Sequence, residues 1–122
     1  MKILYVEDDL QSAKLFSSIL ETEGYEVVHS PQAMEGLRLA RQQSFDAIIL
    51  DINLPDLDGA TVGLSLRRSF PNIPIIALTA NADYITRAKT KAFGFSAFIA
   101  KPCTDEDLIS TLHNLIHAKD HS

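Results

Sequence analysis

Short apolar segments alternate with segments of helical periodicity along the whole chain, and this alternation restricts the fold more than any other feature. Several of the apolar segments are hydrophobic almost throughout, as in DAIIL at 46–50. A strand with one face in water would alternate apolar and polar residues, so unbroken apolar strands indicate a sheet that is covered on both faces. The pattern therefore predicts parallel strands, each joined to the next by a helix.

The predicted elements form βα units in regular succession. Leu15, Phe16, Ile19 and Leu20 recur with helical spacing in the first helix, and Gly24 is expected to end it. Thr104 is the expected N-cap of the last helix. With right-handed crossovers, these units predict an α/β three-layer sandwich. The strands are expected at 2–6, 25–29, 46–50, 74–79 and 97–100, and the middle helices at roughly 32–43, 58–69 and 83–93.

The composition narrows the class of protein. A chain of 122 residues fits one domain, 1–122, and no apolar run approaches the roughly 20 residues of a membrane span. Cys103 is the only cysteine, which excludes an internal disulfide and a thiolate metal cluster. The formal charge of −5 disfavours direct binding to nucleic acid or to an anionic membrane. We therefore expect a cytoplasmic protein with a protein partner.

Polar and reactive side chains occur where the predicted strands end. The carboxyl ends of parallel strands lie at one edge of the sheet, where ligands bind in such folds. Acidic groups, a hydroxyl group and a lysine are therefore expected to meet there. The residues at these strand ends are Glu7, Asp8 and Asp9 after the first strand, Asp51 and Asn53 after the third, Thr79 at the end of the fourth, and Lys101 after the fifth, where Pro102 follows it.

This set of residues suggests metal-assisted phosphoryl chemistry. Carboxylates held a few ångströms apart repel one another and become protonated unless a cation joins them. Oxygen donors alone, including a backbone carbonyl near Asn53, suit Mg²⁺. A carboxylate beside Mg²⁺, a lysine and a hydroxyl can attack phosphorus, and Asp51 is the expected nucleophile. Its aspartyl phosphate would carry about −1.5 to −2 charges, which predicts a switch.

Four segments, YVEDD, LDINLPDLDG, ALTANA and FIAKP, resemble in their order and spacing the receiver domain of bacterial two-component response regulators. The resemblance covers essentially the whole chain. It implies a flavodoxin-like (βα)5 fold with a five-stranded parallel sheet in the order 2-1-3-4-5. It also implies a phosphorylation-activated signalling protein of a two-component system or phosphorelay.

The resemblance assigns roles to individual residues. Mg²⁺ would be bound by Asp8, Asp51 and the backbone carbonyl of Asn53, with Glu7 acting through a water molecule. Asp51 would be the phosphoacceptor. Thr79 would contact the phosphoryl group, and Lys101 would pair with it beside a cis bond to Pro102. Thr79 and Phe98 would be the residues that change position on phosphorylation. Taken by itself, Phe98 is equally well explained as an ordinary core residue.

The resemblance also implies partners. A histidine kinase or a histidine phosphotransfer protein would donate the phosphoryl group, docking on the first helix and on the loop after Lys101. The protein would catalyse only its own phosphorylation and dephosphorylation, as a monomer or a phosphorylation-dependent dimer. No effector domain follows in this sequence, so the expected output is either binding to a separate protein or transfer of the phosphoryl group to another histidine in a relay. A separate protein would bind the fourth helix, fifth strand and fifth helix. That surface includes Tyr84, Arg87, Lys91, Phe98 and Glu106.

Two enzyme or cofactor-binding classes share parts of this pattern. A magnesium-dependent phosphatase of the haloacid dehalogenase type also uses an Asp nucleophile, but it needs a second Asp two residues later, where this chain has Asn53. A flavodoxin would need a phosphate-binding loop after the first strand, where this chain has three acids.

For some single residues, a structural role is the simpler interpretation. Asp9 is expected to cap the first helix, and Asp56 and Asp58 are expected to be turn or N-cap residues.

Overall fold

The computed structural model describes residues 1–118, in which a five-stranded parallel sheet lies between two layers of helices. The strand order is β2-β1-β3-β4-β5, and every neighbouring pair is parallel. The predicted fold class and strand order are confirmed. The elements are β1 (Lys2–Val6), α1 (Leu10–Thr22), β2 (Glu26–Ser30), α2 (Ala33–Gln42), β3 (Ala47–Leu50), α3 (Gly59–Ser69), β4 (Ile75–Thr79), α4 (Tyr84–Ala92), β5 (Ala97–Ala100) and α5 (Asp105–Ala118).

Both faces of the sheet are buried, as the unbroken apolar strands predict. Because neighbouring residues of a strand point to opposite faces, β1 contributes to two separate clusters. Ile3 and Tyr5 pack with buried residues of α1 and α5. Leu4 and Val6 pack with buried residues of α2 and α3 on the other face. The central strands are thereby held rigidly, and the side chains at their ends have fixed positions.

The predicted element bounds are correct to within one or two residues. α1 and α4 end just before Gly24 and Gly94, whose φ angles of 95° and 93° favour glycine. Thr104 caps α5, since its hydroxyl accepts a hydrogen bond of 3.0 Å from the N–H of Asp107. Leu15 departs from the predicted apolar stripe because its side chain is 58% exposed. No helix within residues 1–118 has the length and apolar character that a bilayer crossing requires.

Candidate functional site

Glu7, Asp8 and Asp51 lie together at the carboxyl ends of β1 and β3. The sheet register pairs Val6 with Leu50, so the next residues of the two strands leave the sheet side by side. One carboxylate oxygen of each acid lies within 4.8 Å of the other two. Glu7 and Asp51 are buried and Asp8 is exposed. The three acids predicted to meet at this edge therefore form one cluster.

Lys101 brings a positive charge into this cluster from the end of β5. Its ammonium group donates a hydrogen bond to Oε1 of Glu7 and lies 3.4 Å from Oδ2 of Asp51. The bond from Lys101 to Pro102 is cis. Loss of solvent lowers the pKa of Lys101, but the hydrogen bond to Glu7 and the nearby negative charges outweigh it, so the pKa lies above its ordinary value. Lys101 is therefore charged at neutral pH.

The environment of Glu7 disfavours its ionised form. Burial raises the pKa of Glu7 to about 7, and the neighbouring Asp51 carboxylate adds to the rise, while Lys101 opposes it. Oε2 of Glu7 is buried and has no hydrogen-bond partner among residues 1–118. A hard divalent cation among these oxygens would favour the ionised form. The donors are all oxygens, which fits Mg²⁺ better than zinc.

Glu7 is also held through its backbone by β2. Nε2 of His29 donates a hydrogen bond of 2.7 Å to the carbonyl oxygen of Glu7, and the N–H of Glu7 donates one of 3.0 Å to the carbonyl oxygen of Ser30. The direction in which the Glu7 side chain leaves β1 is therefore fixed. His29 supports the acidic residue but does not belong to the acidic cluster.

Asn53 connects Asp51 with Thr79, a link that the sequence does not reveal. Nδ2 of Asn53 donates a hydrogen bond of 2.9 Å to Oγ1 of Thr79, and its backbone N–H donates one of 3.0 Å to Oδ1 of Asp51. The Thr79 hydroxyl oxygen also accepts one of 3.2 Å from the N–H of Asn81. The predicted role of Asn53 used only its carbonyl group. A side-chain amide two residues after Asp51 is visible in the sequence, but its direction is not.

The loop that follows Asp51 is held tightly against the end of β3. The N–H of Gly59 donates a hydrogen bond of 3.0 Å to the carbonyl oxygen of Ile52. A Cβ atom on Gly59 would lie 2.5 Å from both the carbonyl oxygen of Asp51 and the Cα of Ile52. Any larger residue would therefore displace the backbone of Asp51.

Two further acids fasten this loop to neighbouring helices. Asp58 caps α3 through the N–H of Ala60 at 3.1 Å and accepts a hydrogen bond of 2.9 Å from the ammonium group of Lys89 in α4. Asp56 reaches the start of α2, where its two carboxylate oxygens accept hydrogen bonds of 3.1 and 3.0 Å from the N–H groups at positions 33 and 34. Gln32, the N-cap residue of α2, forms no side-chain cap of its own. The predicted capping role of Asp56 thus falls on an earlier helix, whose first residue lies 23 residues before Asp56.

Phe98 lies on β5, partly buried, between the sheet and α4. It packs against the small cluster of Ile52, Ala60 and Ala77. The guanidinium group of Arg87 in α4 lies 4.6 Å from the centre of its ring. These contacts place the ring between the loop after Asp51 and α4, and its role as a switch stays a prediction.

Residues 3–113 match the family model of the response regulator receiver domain. Among curated relatives, the cell cycle transcriptional regulator CtrA of Caulobacter vibrioides is 32% identical over 123 residues, which cover 100% of this chain and 53% of the relative. A CtrA protein of Brucella ovis is 31% identical with the same coverage. The chain spans about half the length of the curated relatives it matches.

Solved structures of receiver domains have the same fold over nearly the whole chain. A CheY-like receiver domain protein of Methanospirillum hungatei superimposes with a TM-score of 0.95 at 29% identity, covering 98% of this chain and 96% of that chain. The receiver domain of the sensor histidine kinase PA1611 of Pseudomonas aeruginosa gives a TM-score of 0.87 at 33% identity, covering 94% and 96%. The latter structure has a magnesium ion coordinated in its active site cleft.

Proposed function

The chain belongs to the response regulator receiver domain family, and on this premise we propose that Asp51 accepts a phosphoryl group from a phosphohistidine donor. The observation that carries the proposal is the position of the buried Asp51 carboxylate, which lies 3.4 Å from the Lys101 ammonium. A hydroxyl at Thr79 ends the neighbouring strand. A nucleophile, a cation and a hydrogen-bond donor thus surround the position that a phosphoryl group would occupy.

In the proposed reaction, a carboxylate oxygen of Asp51 attacks phosphorus while the bond to the histidine nitrogen of the donor breaks. Lys101 neutralises charge on the phosphoryl oxygens, because its ammonium group is already beside Asp51. Asn53 orients the attacking carboxylate by donating its backbone N–H to Oδ1. No proton has to leave Asp51, so the chain needs no general base for this step.

We propose Mg²⁺ as the cofactor. Asp8, Asp51 and the carbonyl group of Asn53 would hold the ion, and Glu7 would act through a bound water. The bound ion supplies positive charge that offsets the negative charge on the phosphoryl oxygens. Oε2 of Glu7 is buried without a hydrogen-bond partner, and the pKa of the Glu7 carboxyl group is raised. Both observations support the proposal that this site holds a cation.

The conformational effect of phosphorylation would pass from Asp51 to the rest of the protein through Thr79. In the unmodified protein its hydroxyl oxygen accepts the amide of Asn53, so the hydroxyl proton is available to a phosphoryl oxygen. Thr79 would turn toward the phosphoryl group, and Phe98 on the adjacent strand would move toward the space behind it. Arg87 stacks on the ring of Phe98, so a displaced ring would shift α4 as well.

Receiver domains interact with histidine kinases and with downstream effectors. For this chain we propose α1 and the loop after Lys101 as the donor surface, and α4, β5 and α5 as the output surface. Tyr84 and Ile85 on α4 are 84% and 75% exposed, which supports a protein partner at this surface. The protein would act as a monomer or as a dimer formed on phosphorylation, and its cytoplasmic location stays a prediction.

Intact-mass measurement after incubation with acetyl phosphate and Mg²⁺ tests this proposal. We expect the mass of one phosphoryl group to be added, and peptide mapping should place it on Asp51. Asp51→Asn should abolish the addition. Asp46→Asn is the matched control, because this exposed acid lies at the other end of β3 and should leave labelling unchanged.

Two results would contradict the proposal. One is an unchanged mass with acetyl phosphate and also with a phosphorylated histidine phosphotransfer protein. The other is repeated turnover of a phosphate ester, which would favour the phosphatase class instead.

A further inference from the structure

Tyr5 carries a buried phenol group that the proposed reaction does not use. The residue lies on β1 and is 0% exposed, and its hydroxyl group has no hydrogen-bond partner among residues 1–118. A buried hydroxyl without a partner is destabilising, and phenylalanine would fill the same space without that penalty. The hydroxyl group therefore requires an explanation.

One candidate acceptor, Oε2 of Glu7, is also unpaired. Tyr5 lies on β1 and Glu7 directly follows its last residue, where the hydrogen bond from the Glu7 N–H to Ser30 continues the strand pattern, so the two side chains leave the same face of the sheet. Oε1 of Glu7 accepts from Lys101, whereas its Oε2 is buried without a partner. An ionised carboxylate can only accept hydrogen bonds, and a phenol can donate one. The two unpaired atoms are thus chemically complementary.

The electrostatic environment keeps Tyr5 in its donor form. Burial raises the pKa of Tyr5 well above its ordinary value, and the nearby Glu7 carboxylate raises it further. The phenol is therefore protonated over the whole physiological range. The ring itself cannot move far, because it lies in the core cluster and its centre is 6.0 Å from that of His29.

We propose that Tyr5 is a positioning residue whose hydroxyl group donates a hydrogen bond to Oε2 of Glu7 when the site holds Mg²⁺. This inference rests on the proposed function. Glu7 must then keep one orientation toward the metal-bound water. Lys101, its other donor, is drawn toward the phosphoryl group during the reaction. Tyr5 is the donor that stays with Glu7 through the whole cycle.

The experiment is a calorimetric Mg²⁺ titration of the unmodified chain and of Tyr5→Phe, which removes only the hydroxyl group. We expect the dissociation constant to rise about tenfold, the equivalent of about 1.4 kcal/mol. The Mg²⁺ concentration that half-saturates labelling by acetyl phosphate should rise by the same factor. The labelling rate at saturating Mg²⁺ should not change. Tyr25→Phe, a partly buried tyrosine packed against the same core cluster, should alter neither quantity.

A second variant separates positioning from a general effect on folding. If Tyr5 acts through the Glu7 carboxylate, Tyr5→Phe should change Mg²⁺ affinity less than twofold in a Glu7→Gln background. An equal tenfold loss in both backgrounds would overturn the inference. An unchanged Mg²⁺ affinity together with a raised melting temperature in Tyr5→Phe would also overturn it, since the hydroxyl would then be merely an unpaired core group.

The two proposals can fail separately. Direct Mg²⁺ titration needs no phosphoryl donor, so it tests Tyr5 even if Asp51 is never labelled. Absence of labelling with normal Mg²⁺ affinity would contradict the proposed function alone. Normal labelling of Tyr5→Phe at every Mg²⁺ concentration would contradict the role of Tyr5 alone.

Discussion

Magnesium affinity should depend on pH, because the ion must bind beside a carboxyl group that is partly protonated at neutral pH. Burial raises the pKa of Glu7 to about 7, and the neighbouring Asp51 carboxylate adds to this effect. Mg²⁺ favours the ionised carboxylate, so its binding releases a proton whenever Glu7 is protonated beforehand. Affinity is therefore expected to rise with pH until Glu7 is fully ionised.

The size of the effect follows from the position of that pKa. With a pKa of about 7, roughly one Glu7 in eleven is ionised at pH 6 and roughly ten in eleven at pH 8. The apparent dissociation constant of Mg²⁺ should therefore fall about tenfold between these pH values. At pH 7 the binding of one ion should release about half a proton.

Stability without metal should show the opposite trend. A carboxyl group whose pKa is raised in the folded state stabilises the fold below the pKa of the unfolded chain, and this contribution is lost as pH rises through the folded value. For Glu7 the loss should extend from about pH 4.5 to about pH 7. Added Mg²⁺ should restore stability most strongly at the upper end of this range.

Calorimetric titration at three pH values, in buffers with different heats of ionisation, measures both the affinity and the proton release. Glu7→Gln is the control, since its affinity should be lower but nearly flat over the same range. An equal Mg²⁺ affinity at pH 6 and pH 8 without proton release would refute the reasoning. Glu7 would then be ionised before the metal arrives, despite its burial.

Two substitutions outside the acidic cluster test how the loop after Asp51 is held. Asp56→Ala should lower the melting temperature by about 4 °C, because it removes a helix cap worth about 1 kcal/mol. Adding Gln32→Asp should restore the cap of α2 and most of the stability, and circular dichroism melts of the single and double variants check this. Gly59→Ala should cost about 1–3 kcal/mol in urea unfolding and also slow labelling, because its Cβ would lie 2.5 Å from the Asp51 carbonyl oxygen. Gly36→Ala is the control, since its Cβ would meet only the side chain of Val6, at 2.8 Å, and no backbone atom of the loop. Equal losses in both variants would contradict this account.

The fold could be predicted from the sequence because its signal is repeated in every unit. Buried strands such as Ala47–Leu50 have no polar residue, α1 and α4 are followed by glycines, and α3 is followed by Pro71. The bounds shifted slightly, as in β2, which begins at Glu26 instead of position 25. Leu15 shows the limit of periodicity, because one apolar residue beside the buried stripe of a helix costs little when it is left exposed.

The composition of the site could be predicted for a different reason. Parallel strands bring their carboxyl ends to one edge, so the positions of Glu7, Asp51 and Lys101 follow from topology alone. Contacts that depend on side-chain rotamers could not be predicted in this way. The side-chain amide of Asn53 donates a hydrogen bond to Thr79, and this contact depends on the rotamer that Asn53 adopts in the packed loop. The bond from Asp56 to the start of α2 depends on the relative position of two elements that are distant in sequence.

Asn53 also explains why a site able to accept a phosphoryl group should act as a switch and not as a phosphatase. An amide cannot donate a proton to a departing alcohol or remove one from an attacking water, so this position contributes no acid–base catalysis. Its Nδ2 is already used by Thr79, and its backbone N–H by Asp51. The only cationic donor beside Asp51 within residues 1–118 is Lys101, whose raised pKa keeps its proton in place. Position 53 therefore gives no acid–base assistance to hydrolysis of the proposed aspartyl phosphate, which suits a modification that a partner protein has to recognise.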